Sequence, residues 1–170
     1  MPPPPAISLR PTQAADLPFL LALEQDPVAL AQAGLRPRSP AAFAARWAEI
    51  LADPAAAGVV PRVVLCAGAP VGAVNISPDD GRPSLGYWIA RSHWGRGIAT
   101  AAVGLLLAAV PQRPLYASAA AHNRASLRVL ATHGFVVTGR EHQPETARTL
   151  ARETVRLVLS AGPPARADGG

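Results

Sequence analysis

Apolar positions along the chain follow two rhythms. Residues 7–11 (ISLRP), 61–67 (PRVVLCA), 70–76 (PVGAVNI), 84–90 (SLGYWIA), 114–120 (PLYASAA), 134–139 (GFVVTG) and 152–161 (RETVRLVLSA) are short runs of alternating or clustered apolar residues, the pattern of strands. Gly68-Ala69 reads as the tight turn of a hairpin, and SPDDGRP (77–83) as a loop. Elsewhere the apolar residues recur at three and four. A helix starting from Thr12 or Asp16 runs through Leu17–Leu23, and a second follows Ser39-Pro40 with Phe43, Trp47, Ile50 and Leu51 on one face. A third covers Ile98 to Val110, and a fourth Arg124 to His133. Strand–helix–strand units in the second half predict a mixed α/β domain with no internal repeat. The Pro/Gly-rich segment 161–170 (AGPPARADGG) is expected to be a disordered tail.

Composition narrows the class. With 170 residues, nearly half of them hydrophobic, one domain with one core of ordinary size is expected. The longest apolar run, Ile98 to Val110, falls short of the ~20 residues of a membrane span. MPPPPAISLRP carries no signal-peptide pattern. Cys66 is the only cysteine, so no disulfide forms within the chain. A cytoplasmic protein with no membrane partner is the expectation. The net charge of +5 invites nucleic acid as a partner, but all 16 basic residues are scattered arginines. No aromatic residues interleave with them to stack bases. Nucleic acid is therefore not expected.

One stretch does stand out. No acidic residue occurs between Asp80 and Glu141, whereas Arg82, Arg91, Arg96, Arg113, Arg124, Arg128 and Arg140 do. Within it lies HWGRGIATAA (93–102), a glycine turn that feeds the third helix. Such a turn leaves the first N–H groups of the helix free at its positive end, a natural site for phosphate. Two familiar phosphate loops fail here. A dinucleotide fold needs a third glycine where Thr100 stands and an acid about 20 residues on. A nucleoside triphosphate loop needs a lysine, and the chain has none. A pyrophosphate that requires neither ribose carboxylate nor magnesium remains, and coenzyme A carries one.

GYWIARSHWGRGIATAA resembles the acyl-CoA-binding motif of the GNAT acetyltransferases, and NRASLRVLATHGF resembles their second motif. Together the two cover residues 85–136 and are most similar to the branch of ribosomal-protein N-terminal acetyltransferases. The resemblance implies a single α/β (α+β) domain over residues 1–160, with a mixed central sheet of about six to seven strands flanked by helices. It implies acetyl-CoA as the cofactor and an amine, either a protein N-terminus or a small molecule, as the acceptor. The expected state is monomer or homodimer, with no metal. Residue by residue, Gly95, Arg96, Gly97, Ile98, Ala99 and Thr100 would hold the pyrophosphate, beside Trp94. Ile89, Ala90 and Arg91 would hydrogen-bond the pantetheine arm. Asn123 and Ser126 would lie at the acetyl thioester.

Acetyl transfer requires removal of a proton from the amine, stabilisation of an oxyanion and protonation of the departing thiolate. Many relatives use a tyrosine late in the second-motif helix for the last step, but Leu130 occupies its place here. Ser126 is the candidate acid, with Asn123 capping the helix that presents it. The position that often carries a basic carboxylate in relatives is Ser84. Glu24, Asp26, Asp79, Asp80, Glu141, His122 and a relayed water remain as base candidates. Tyr87 and Trp88 alternate across their strand, one toward the core and one toward the acceptor cleft. Two further functions stay open: acetylation of a small or antibiotic amine, and coenzyme A binding without catalysis.

Overall fold

Seven strands and five α-helices follow one another in a computed structural model that describes residues 5–161. All of the expected tail beyond Ala161 lies outside the described residues. The strands are β1 (Ile7–Pro11), β2 (Val60–Cys66), β3 (Ala69–Asp79), β4 (Arg82–Ile89), β5 (Leu115–Ala120), β6 (Val136–Gln143) and β7 (Arg152–Leu159). They form one sheet in the order β1-β2-β3-β4-β5-β7-β6. The helices are α1 (Leu17–Leu23), α2 (Pro27–Ala33), α3 (Pro40–Ala52), α4 (Ile98–Ala109) and α5 (Arg124–Thr132).

Alternation along the central strands sends side chains to two cores, one on each face of the sheet. Val74, Ile76, Leu85 and Ile89 pack with Ile98, Ala102, Val103 and Leu106 of α4. Their neighbours Ala73, Trp88 and Ala90 pack instead against Leu20, Leu23, Phe43, Trp47 and Ile50 of α1 and α3. The helices therefore sandwich the sheet.

Three expectations are corrected. SPDDGRP is mostly strand: β3 and β4 pair as far as Asp79↔Arg82, around a turn at Asp80-Gly81. Both turn residues have positive φ, 51° and 73°, the type I′ geometry whose twist matches the flanking strands. In the preceding hairpin the turn is Ala67-Gly68 rather than Gly68-Ala69, again with both φ positive. Finally, α2 was not expected. Asp26 caps it through Val28 N–H and Ala29 N–H, Pro27 opens it, and Gly34 closes it in the left-handed conformation.

What positions the site is a fault in the sheet. β1 to β4 form an antiparallel meander, and β5, β7 and β6 pair antiparallel with one another. The two halves meet where β4 runs parallel to β5, and that ladder holds a single pair, Ser84↔Tyr116. Past Ser84 the strands diverge. A sheet that opens in this way offers backbone groups with no strand to satisfy them, and a cleft between its halves.

Candidate active site

The glycine turn sits at the mouth of this cleft. Gly95 and Gly97 have φ of 72° and 74°, and a Cβ on either would meet no atom within 4 Å. Glycine is required there by the dihedral rather than by crowding. The first bond of α4 runs from Ala101 N–H to Gly97 C=O. Among the described residues, the N–H groups of Gly97, Ile98, Ala99 and Thr100 have no acceptor, and no acidic side chain lies in the first turn. Four free donors at the positive end of a twelve-residue helix form an anion cradle.

From the cradle a cleft of about 510 Å³ runs to the start of α5. Ile89, Trp94, Gly95, Gly97, Ile98, Ala99, Thr100, Asn123 and Ser126 all line it. Ala90, Arg91 and Arg96 do not. Ala90 N–H donates to Val71 C=O, so it is spent inside the sheet. Arg91 turns to Asp26, 3.1 Å away, and Arg96 is exposed on the turn. Even-numbered residues of β4 thus point their backbone groups at β3, and by alternation Tyr87 and Ile89 point theirs at the opening. The Trp94 indole N–H donates to Ile89 C=O at 2.8 Å, tying the turn to the end of the strand.

The acid-free arginines do not form one surface. Arg113 bonds carbonyls at the end of α4, Arg82 lies over the Tyr116 ring, and Arg140 pairs with Glu153. Arg128, on α5, is the one of the seven that lines the cleft.

At the inner end, Asn123 Oδ1 caps α5 by accepting from Ser126 N–H at 3.2 Å, and also accepts from Gln32 Nε2 on α2 at 3.2 Å. Ser126 Oγ accepts a 2.8 Å bond from the Tyr87 hydroxyl. Burial raises the Tyr87 pKa above its ordinary 10.0, against the opposing pull of the Ser126 bond, so the phenol stays protonated. Leu130, where relatives place a tyrosine, is buried in the core. Tyr87 reaches Ser126 from β4 because the diverging strands bring that face of β4 opposite the first turn of α5. Its hydroxyl contact was not expected. Nor was Gln32, which comes from an unrecognised helix; Arg128 was one of the seven arginines of the acid-free stretch, but its spacing did not single it out from the other six.

On the far side of Tyr87 and Ser126 lies a second chamber of about 460 Å³. The two cavities share Ala33, Tyr87, Trp88, Asn123 and Ser126. Tyr87 and Trp88, on opposite faces of β4, both line this opening. Of the base candidates, Glu24 and Asp79 line the chamber, and each is held by an arginine: Glu24 by Arg38, Asp79 by Arg156. Asp26 caps α2, Glu141 pairs with Arg156, and His122 Nε2–H donates to Ala31 C=O at 3.1 Å. No cluster of potential metal ligands occurs among the described residues.

An anion cradle, a cleft through a parted sheet and a hydroxyl pair at its inner end agree with the family comparison: the acetyltransferase (GNAT) domain matches residues 7–136. The chain belongs to the GNAT acetyltransferases. Among solved structures, its fold is similar to a spermidine N-acetyltransferase from Vibrio cholerae in complex with CoA and spermine, at 17% identity and a TM-score of 0.76. That match covers 91% of this chain and 95% of the other. Mycobacterium smegmatis RimJ, in complex with CoA-disulfide, is 24% identical over 94% of this chain and 84% of its own, with a TM-score of 0.71. A Salmonella typhimurium acetyl transferase that modifies the N-terminal serine of ribosomal protein L7/L12 is 17% identical, covering 91% and 94%, with a TM-score of 0.73. At these identities the likeness is one of fold. No curated protein sequence matches this GNAT chain. No helix among its described residues is long and apolar enough to cross a membrane.

Proposed function

We propose that this acetyltransferase uses acetyl-CoA to acetylate a primary amine, with the cofactor in the 510 Å³ cleft and the amine in the 460 Å³ chamber. The observation that carries the proposal is the Tyr87–Ser126 hydroxyl pair, which stands where the two cavities meet. Acetyl-CoA supplies an activated acetyl thioester. The free N–H groups of Gly97 to Thr100 fit its pyrophosphate in number and direction, and Arg128 adds a guanidinium to the same cleft. Ile89 N–H and the backbone of Tyr87, left without a strand partner, are placed to bond an amide-bearing arm.

Ser126 Oγ is the acid that faces the reacting end. Tyr87 hands it a hydrogen bond, so a proton leaving Ser126 is replaced from the phenol along a 2.8 Å contact. The N-terminal position of Ser126 in α5 favours negative charge developing beside it. Asn123 and Gln32 hold that helix turn in place. Both carboxylates lining the chamber are bound to arginines, so proton removal from the amine falls to solvent entering from its mouth. A single free cysteine supports a cytoplasmic setting.

The test is turnover of acetyl-CoA against a panel of peptides and small amines, for wild type and Ser126→Ala. Loss of kcat with unchanged coenzyme A affinity in the variant is the expected outcome. A wild type that binds coenzyme A yet acetylates nothing on a broad panel would leave a binding module, and undiminished turnover in the variant would remove Ser126 from the chemistry.

A further inference from the structure

Four charged side chains, Glu24, Asp79, Arg148 and Arg152, line the proposed acceptor chamber. Glu24 is paired with Arg38, and Asp79 shares Arg156 with Glu141, whereas Arg148 and Arg152 have no carboxylate within ion-pair distance among the described residues. Both belong to the segment that leads into and begins β7, opposite α2. Arg148 Nη1–H donates to Arg36 C=O. Arg152 donates from Nη1 to the Ala33 and Gly34 carbonyls and from Nε to Thr154 Oγ1 at 3.2 Å.

These contacts use only part of each fork. Nε and Nη2 of Arg148 and Nη2 of Arg152 have no partner among the described residues. None of them is a sealed, unsatisfied atom either, so all reach accessible space. Burial lowers the pKa of both guanidiniums; Arg38 lowers that of Arg148 further, against the opposing pull of Glu24, and Arg156 lowers that of Arg152. Glu24 offsets part of this cost at Arg148 and no carboxylate among the described residues does so at Arg152, so the pair of half-buried cations favours a further anion. One part of the remaining wall is apolar, with Leu20, Leu23, Leu30 and Trp47, and another is polar but uncharged, with Asn75, Ser77, Ser84 and Ser118.

We infer that the acceptor is a small amphoteric amine: its amino group meets Tyr87 and Ser126, an apolar body lies along the leucines, and a carboxylate binds Arg148 and Arg152. A chamber of about 460 Å³ suits a molecule of amino-acid or dipeptide size. The guanidinium forks match a carboxylate and disfavour a polycationic amine. The inference rests on acetyl transfer at Ser126 only for the placing of the amine.

Binding and turnover are measured separately, so that the two can fail separately. Calorimetry on the coenzyme A-saturated protein compares N-acetyl-leucine with N-acetyl-leucine amide, and N-acetyl-glycyl-leucine with its amide. At least one acid should bind about tenfold or more tightly than its amide, the value of a charge-assisted bond. That preference should collapse in Arg148→Gln, whose single carbonyl contact makes it the milder variant, and in Arg152→Gln, with coenzyme A affinity unchanged as the control for folding. Acids that bind no better than amides, or a preference that survives in Arg148→Gln, would overturn the inference. Faster turnover of longer peptide amides than of leucine and glycyl-leucine would overturn it in favour of a protein N-terminus. Failure to acetylate any amine while the preference holds would refute the transferase function and leave the anion site standing.

Discussion

Tyr87→Phe removes one oxygen and leaves the ring in place, so it isolates the phenol's bond to Ser126. In the resting protein that bond joins two neutral hydroxyls at 2.8 Å, and its loss should cost about 1 kcal/mol. For a domain of this size the melting temperature should fall by roughly 2–4 °C. During turnover the stakes are higher, because negative charge appears on Ser126 Oγ as its proton departs. A bond to a charged group contributes ~1.5–3 kcal/mol, so kcat should drop roughly ten- to hundredfold with coenzyme A affinity unchanged. Because the hydroxyls act in series, Tyr87→Phe/Ser126→Ala should be no slower than Ser126→Ala alone. Steady-state kinetics of the three variants, with binding measured by calorimetry, provide the cycle. Additive losses, or full turnover in Tyr87→Phe, would refute the relay. The pH profile adds an independent mark. The folded protein holds the phenol proton more tightly than the unfolded chain, with its pKa raised above 10.0. Its contribution to stability is thus present below about pH 10 and lost as pH rises through the folded value. No alkaline decline in activity below pH 10 should trace to Tyr87.

Gly97→Val should weaken coenzyme A binding by at least about tenfold, while the left-handed dihedral costs about 1–2 kcal/mol of folding; a folded variant with unchanged affinity would remove the cradle from the binding site. Asp16 accepts two bonds from Arg10, at 2.7 and 2.8 Å, and one from Gln13 N–H, which outweigh burial and hold its pKa below 3.8. The stability this supplies is present above the unfolded value and lost as pH falls through the folded one. Asp16→Asn should therefore be less stable at neutral pH with a shallower acid limb in denaturation curves taken down to about pH 2, and an unaltered acid limb would contradict the assignment.

Local chemistry alone determined a good deal of this protein. Strand alternation, three-and-four spacing and the glycines of 93–102 were enough for the two-motif half of the fold, because those signals depend on residues a few positions apart. The glycine turn feeding α4 was legible for the same reason, whereas the positive φ of Gly95 and Gly97 came from the structure. Even the misread elements were locally encoded: Asp80-Gly81 is a hairpin dipeptide, and Asp26, Pro27 and Gly34 bracket α2 with ordinary caps. The candidate active centre was not. Which arginines stay free of carboxylates depends on partners far along the chain, such as Asp26 for Arg91 and Asp79 for Arg156. Tyr87 meets Ser126 across 39 positions, and only because the β4–β5 ladder stops after Ser84↔Tyr116. Leu130 shows the reason from the other side: a missing tyrosine in one helix says nothing about a hydroxyl delivered from a strand. Spacing in sequence governs what a turn or a helix face presents, whereas the meeting of two hydroxyls is decided by where the sheet parts.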